Sequence, residues 1–341
     1  LALARKPKRR AMDQKRKQVD VTPAILVTGG SGFVGQHLVK DLAKTGRTVV
    51  SMYHHRLPEP IQNVFPVCSD MGSAELLAAP LRGVDTVVHL AWGGGLIGPS
   101  EELTWDPLTS KRLSKNLILT RNLIAAMEKA GTQRIIFMSA LGANRNARVP
   151  FLIEKYLAEF FILNSNIPDK VILRSSMVWG GEGSTDKFLR SITRLMRMPV
   201  FYPVPKANGT VAPIAINDLV ATIAKLLTCQ EANNNSVIAD ISGSESYRLE
   251  ELFKLVNDHY LKGVRWPVRG VIGNSLVPLF ERNGSDDPRM PRLRHFLALA
   301  GKPAAETGKE NPLTGVLPTK FTTFKEMMTK TPEPQPQRAN R

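Results

Sequence analysis

Short apolar runs alternate with amphipathic stretches through the first half of the chain. Ala24 to Thr28 is such a run, and it is followed by GGSGFVG and by a segment in which Phe33, Val34, Leu38 and Leu42 recur at helical spacing. The pattern predicts strand, turn and helix, with Gly46 closing the helix. Thr48 to Tyr53 and Asn63 to Cys68 predict the second and third strands, and Ala74 to Leu81 a short helix. The VVHLA run inside Thr86 to Ala91 predicts a buried fourth strand. A long helical pattern from Leu108 to Lys129 stops at Gly131; Arg134 to Ser139 then predicts a fifth strand, Phe151 to Asn164 a helix, and Lys170 to Arg174 a sixth strand.

Strands and helices alternating at this spacing imply an α/β fold, a Rossmann-type doubly wound parallel sheet. Beyond Gly180 the alternation weakens to helices at 186–197, 216–229 and 248–260 and a short strand at Val237 to Ile241, which predicts a smaller C-terminal α/β lobe. The expected organisation is a basic arm over 1–22, an NAD(P)-binding domain over 23–245 with lobe elements from about 181, a C-terminal lobe over 246–330, and a Pro- and Gln-rich flexible tail over 331–341.

At 341 residues, 43% of them apolar, the chain can bury a sizeable core. No apolar run approaches the roughly 20 residues of a membrane helix. Cys68 and Cys229 fit no metal or redox spacing, so no metal is expected and a reducing compartment is the simpler reading. The net charge of +16 changes the picture more. Eight Lys or Arg against two Asp fall within the first twenty residues, as in the remnant of an organelle-targeting region, an arm that docks on RNA or anionic lipid, or a solvated tail. A start at Leu1 rather than Met suggests that something upstream was removed, which favours an organellar protein with the basic arm as a docking element. Aromatic content of 6% and the lack of any RNA-reading motif make nucleic acid the weakest partner. The mixed apolar and basic stretch Trp266 to Phe280 reads either as core of the small lobe or as a contact with a membrane surface.

The candidate site starts in the glycine turn. Gly29, Gly32 and Gly35, with Gly30, Ser31, Phe33 and Val34 between them, give the turn out of a strand, the close approach of backbone to a diphosphate, and the close packing of helix on sheet that a dinucleotide needs. The helix N-terminus adds unpaired N–H groups and a partial positive charge. NAD-specific sites place a carboxylate at the end of the second strand; here that strand runs into Tyr53, His54, His55 and Arg56, which suits a 2′-phosphate and favours NADPH over NAD(H). A solvated basic loop is the alternative. Asp70 is placed either to accept from the adenine amino group or to cap the helix at Ser73.

From Ile25 to about residue 230 the order of VTGGSGFVG, GVDTVVHLA, NLILTRNLIAAMEKAG, RIIFMSALGA, FLIEKYLAE and VILRSSMVWGG resembles the extended and atypical short-chain dehydrogenase/reductase superfamily. The resemblance implies that Leu90 and Ala91 line the cofactor, that Asn116 braces the central helix and that Ser139 lies beside the nicotinamide. It also implies a Tyr four residues before a Lys, the first as general acid or base and the second holding the nicotinamide ribose. Lys155 stands in the lysine place, but the tyrosine place holds Phe151, which has no proton to give. Ser139, Phe151 and Lys155 thus read as vestiges of a catalytic set. A lost tyrosine beside a retained cofactor site, together with FLRSITRLMRMPVFYPVPKANGTVAPIAINDLVATIAKLL, is similar to the atypical branch that contains the accessory subunit of mitochondrial respiratory complex I.

That branch implies a non-catalytic NADPH-binding subunit on the matrix side of the inner membrane, with other subunits of a large complex as partners and no small-molecule substrate. An active NADP-dependent oxidoreductase or epimerase remains the alternative expectation, and an RNA-associated protein on the same fold the next.

Overall fold

The computed structural model describes residues 24–54, 57–93, 103–106, 111–147, 150–180, 193, 202–205, 210–228, 236–260, 269–272, 311–313 and 315–331. The basic arm, the stretch containing His55 and Arg56, the expected helix at 186–197 apart from Thr193, the terminal tail beyond Thr331, and all of Trp266 to Phe280 except 269–272 lie outside the described residues.

Seven parallel strands form the central sheet: β1 (Ala24–Thr28), β2 (Val49–Tyr53), β3 (Val64–Cys68), β4 (Val84–His89), β5 (Arg134–Ala140), β6 (Asp169–Ser175) and β7 (Ser236–Ile241), in the order β7-β6-β5-β4-β1-β2-β3. The chain therefore winds outward from β1 through β2 to β3, then returns to the other side of β1 at β4. The crevice at the carboxyl ends of β1 and β4 is the switch point where such sheets bind ligands.

The central strands are apolar on both faces because both are covered. On one face α1 (Phe33–Ala43) packs on a helix at Ile216–Thr228, and Val34, Leu38 and Leu42 share a core cluster with Leu219, Ile223 and Leu226. On the other, Leu123 and Met127 of α2 (Lys115–Ala130) and Ala158 and Ile162 of α3 (Pro150–Leu163) meet Leu26, Val87, Ile135 and Ile172. One edge strand is β3, where Pro66 costs no ladder bond that a central strand would need.

Three boundaries differ from the sequence reading, each for a local reason. The long central helix begins at Lys115 rather than Leu108, because Ser114 caps it by accepting from the Leu117 N–H and the preceding Leu103–Asp106 and Lys111–Ser114 pair as an antiparallel hairpin. The helix expected at Ala74 to Leu81 is a single 3-10 turn at Glu75–Leu77: Gly72 and Pro80 leave too few residues to repay helix nucleation. β4 ends at His89, since the next two N–H groups turn onto the side chain of Thr28.

The helix α4 (Ile216–Thr228) and β7 belong to the main layers, the first matched to α1 and the second hydrogen-bonded along β6. The smaller C-terminal part comprises α5 (Leu249–Tyr260), α6 (Phe324–Lys330) and short strand pairs, 210–211 with 247–248 and 202–205 with 269–272. Its last helix is tied to α4 and to Trp179. Asp218 accepts from the backbone N–H and hydroxyl of Thr322 at 2.6 and 3.0 Å, and Phe324 packs on Trp179 with ring centroids 4.7 Å apart.

Candidate functional site

The glycine turn has no room for side chains where the chain folds back on itself. Gly29 adopts φ +69°, and a Cβ there would stand 2.8 Å from the Ala91 backbone across the switch point. A Cβ on Gly35 would meet the Gly29 carbonyl oxygen at 2.1 Å, and one on Gly30 the Ser51 Oγ at the same distance. The Gly32 N–H closes the turn on the Gly29 carbonyl at 2.9 Å. Gly32 is also the N-cap of α1, with no side-chain cap and no acidic residue in the first turn. Among the described residues no side chain caps the start of α1 and no carboxylate stands in its first turn, so the partial positive charge of its leading N–H groups fits the diphosphate of a dinucleotide.

Opposite the turn, a buried chain of hydrogen bonds fixes the segment after β4. The N–H groups of Leu90 and Ala91 both donate to Thr28 Oγ1 at 3.2 Å. Thr28 has one proton, and His89 Nδ1 lies 2.7 Å away to accept it. On its other side His89 Nε2 is 3.1 Å from Thr120 Oγ1, whose own proton goes to the Asn116 carbonyl at 2.8 Å. Only one assignment satisfies every group: neutral His89 with its proton on Nε2. Asn116 extends the chain, accepting from the Gly93 N–H at 2.8 Å and donating to the Gly93 carbonyl at 3.1 Å. Asn116 braces the strand end, and through it Leu90 and Ala91 are held against the glycine turn.

Burial pushes the His89 imidazole down to about 3, with the nearby Lys155 charge acting the same way. The unfolded chain binds this proton near 6.5, so acidification protonates the unfolded state first and stability falls as pH drops from 6.5 toward 3. Urea unfolding is expected to show a contribution of about 1.4 kcal/mol per pH unit between pH 6 and 4 that is missing in His89→Gln. Parallel profiles for the two proteins would contradict the neutral, buried assignment.

Ser139, Phe151 and Lys155 lie on β5 and α3. Ser139 is buried and donates to Glu159 Oε1. Glu159, 1% exposed, is also held in a two-pronged pair by Arg174, at 2.9 Å from Nε and 2.6 Å from Nη2. Lys155 is 6% exposed, donates to the Met138 carbonyl at 2.8 Å, and lies 3.7 Å from the centroid of Trp92. Burial brings its ammonium down to about 7, against the pull of the Glu159 and Glu154 carboxylates. Phe151 is half-buried at the start of α3, with its ring 5.9 Å from the ammonium.

His54 and Asp70 stand together at the other end of the site, exposed, with Nε2 and Oδ2 3.9 Å apart. Asp70 accepts from the Gly72 N–H at 3.1 Å, a tight turn rather than a helix cap. The structure thus gathers the glycine turn, Leu90 and Ala91 at the switch point, puts His54 and Asp70 beyond β2 and β3, and gives Ser139 and Lys155 partners inside the protein. The sequence reading passed over Thr28, His89, Trp92, Glu159 and Arg174. Some of them carried a signal: His89 and Arg174 follow directly on the apolar stretches Val87–Val88 and Val171–Leu173 of their strands, and Glu159 follows Lys155 by one helical turn, whereas Trp92 carried none. Among the described residues no helix is long and apolar enough to cross a membrane, and no cluster of metal-ligating side chains exists.

Residues 29–179 match the model of a family described as NAD(P)H-binding. Among curated proteins, the chain is 30% identical over 178 residues to a 3-beta-hydroxysteroid dehydrogenase of Mycolicibacterium neoaurum, covering 46% of this chain and 48% of that one. It is 25% identical over 241 residues to NADH dehydrogenase [ubiquinone] 1 alpha subcomplex subunit 9, mitochondrial, of Arabidopsis thaliana, covering 68% of this chain and 56% of the relative. The chain spans about half the length of the first curated relatives it matches. Among solved structures, MoeE5 in complex with UDP-glucose and NAD aligns with a TM-score of 0.60 at 21% identity, over 90% of this chain and 97% of that one. With the glycine cradle at the switch point of a seven-stranded parallel sheet, the chain has a Rossmann-type α/β fold, and residues 29–179 of it match the NAD(P)H-binding family model.

Proposed function

We propose that this chain holds NADPH as a structural cofactor and serves as a non-catalytic accessory subunit of mitochondrial respiratory complex I, NADH:ubiquinone oxidoreductase, on the matrix side of the inner membrane. One observation carries the reading: the phosphate cradle is complete while the proton donor is missing, Phe151 standing where a tyrosine is needed. A bound nicotinamide nucleotide supplies hydride chemistry, but no side chain at Phe151 moves a proton, and Ser139 has committed its proton to Glu159. What the residues do is bind. Gly29 to Gly35 and the start of α1 receive the diphosphate, Leu90 and Ala91 wall the crevice, Asp70 accepts from the adenine, and His54 and Arg56 attract a 2′-phosphate.

Support for the assembly is the similarity to mitochondrial subunits over 68% of the chain, in Arabidopsis thaliana and again in Dictyostelium discoideum. Other subunits of that complex are then the partners. The similarity to a 3-beta-hydroxysteroid dehydrogenase favours a second reading, an active NADP-dependent oxidoreductase or epimerase.

Two experiments separate the outcomes. On native gels of solubilised mitochondrial membranes the chain is expected to migrate with complex I; migration as free protein, with substrate turnover that Lys155→Ala abolishes, would replace the subunit reading by the second. For the cofactor, Arg56→Ala is expected to weaken NADPH about tenfold and leave NADH unchanged. Equal loss for both would remove the 2′-phosphate assignment.

A further inference from the structure

An ammonium has three protons to donate, and among the described residues Lys155 Nζ spends one of them, on the Met138 carbonyl at 2.8 Å. The Glu154 and Glu159 carboxylates pull on it from the same helix, α3, and rings stand close around it. The centroids of Trp92, Phe137 and Phe151 lie 3.7, 4.7 and 5.9 Å from Nζ, and they come from three elements: the segment after β4, the middle of β5 and the first turn of α3. Each ring face carries the negative part of an aromatic quadrupole, so three rings around one desolvated cation attract it together.

Two details show that these contacts set the geometry. The indole Nε1–H of Trp92 is buried and has no acceptor among the described residues, so no hydrogen bond at its polar tip explains where the ring lies. Its packing does: it meets Phe137 at 5.9 Å and the ammonium at 3.7 Å. At the third ring, a tyrosine would bring an oxygen that competes for the ammonium, whereas Phe151 brings carbon alone. The residue that removes the acid also completes the aromatic enclosure.

We propose that Trp92, Phe137 and Phe151 form a cage that retains the Lys155 ammonium, so that the site grips a nucleotide by its adenosine diphosphate half and withholds the lysine contact from the nicotinamide ribose. The inference rests on the nucleotide-binding reading for its ligand but not for the cage itself. The ligand class that follows is 2′-phosphorylated adenosine diphosphates, with or without a nicotinamide riboside attached. Trp92 is a positioning residue in this scheme, acting through Lys155.

The cage is tested on the full chain without nucleotide, by reductive methylation with formaldehyde and mass spectrometry of each lysine. Lys155 is expected to react at least about tenfold more slowly than the exposed Lys254, to be released in Trp92→Leu, and to stay protected in Trp92→Phe, which keeps a ring. Labelling of Lys155 in the wild-type chain at the rate of Lys254 overturns the cage. The ligand half is tested by calorimetric titration with NADPH and with 2′-phospho-ADP. Dissociation constants within about tenfold of each other, unchanged by Lys155→Ala, are expected; NADPH bound more than about tenfold tighter, with the advantage lost in Lys155→Ala, overturns it. If neither ligand binds, the nucleotide reading fails, and the methylation result still decides the cage.

Discussion

Gly35→Ala is expected to destabilise the chain and abolish nucleotide binding together. The added methyl would stand 2.1 Å from the Gly29 carbonyl oxygen and 2.8 Å from the Gly30 Cα, and both are backbone atoms that no rotamer change can move aside. Relief requires α1 to lift from the turn, and α1 is fixed by Val34, Leu38 and Leu42 in the core it shares with α4. Overpacking of this kind costs about 3 kcal/mol at the upper end of its usual range. Thermal unfolding should fall by roughly 6–12 °C for a domain of this size, and NADPH affinity by about 100-fold, since the diphosphate meets a displaced helix start. Gly46→Ala is the control. Gly46 has positive φ, +74°, unlike Gly35, but nothing lies within 4 Å of its missing Cβ, so only backbone strain of about 1 kcal/mol is expected, with binding intact. Equal effects at the two positions would mean that the close approach at Gly35 is not what builds the site.

Arg174→Met is expected to have the second large effect, on stability. Glu159 is buried beneath the site, accepting from both Arg174 nitrogens and from Ser139, and the Arg174 guanidinium is held above its usual range chiefly by the hydrogen bonds to Glu159. Removing the arginine strands a carboxylate in the interior, at a cost of about 3–5 kcal/mol. The double change Arg174→Met with Glu159→Leu removes both charges and should recover most of that loss, because a paired buried charge contributes little net stability over a well-packed apolar pair. Urea unfolding of the wild-type, single and double variants measures both steps. A single variant as stable as the wild type would show that water already reaches Glu159, and the enclosed geometry beneath Ser139 would have to be abandoned.

The strand-turn-helix beginning at Ala24 was legible because every level agreed: apolar run, glycine spacing and helical periodicity point to one answer. The parallel sheet was legible from the alternation. The start of the central helix was not, because Leu108 and Leu113 were counted into the apolar pattern of the helix that follows, although Ser114 followed by Lys115, Asn116 and Leu117 is a capping signal in plain view. The His89 chain could not be read in advance: its partners Thr28 and Thr120 are 61 and 31 residues away, and adjacency across β1, β4 and α2 exists only in the fold. Trp92 carried no signal at all in a glycine-rich stretch, and its position over Lys155 changes what that lysine can do. The residue the sequence marked most clearly was Phe151, since a missing hydroxyl is a fact of identity and needs no geometry.

The central claim, that the glycine turn and the start of α1 hold a phosphorylated dinucleotide, is tested most directly by calorimetric titration of NADPH into the wild-type chain and Gly32→Asp. Gly32 is exposed, sits at the N-cap with φ −75° and ψ 173°, and a Cβ there meets only the Gly29 carbonyl at 3.1 Å. Aspartate is a favoured N-cap residue, so the fold should hold, but its carboxylate occupies the anion position and repels a diphosphate. Saturable one-to-one binding in the wild type, weakened at least about tenfold in a Gly32→Asp variant of unchanged unfolding midpoint, is the predicted result. No saturable binding to the wild-type chain, or equal affinity in the two proteins, would contradict it.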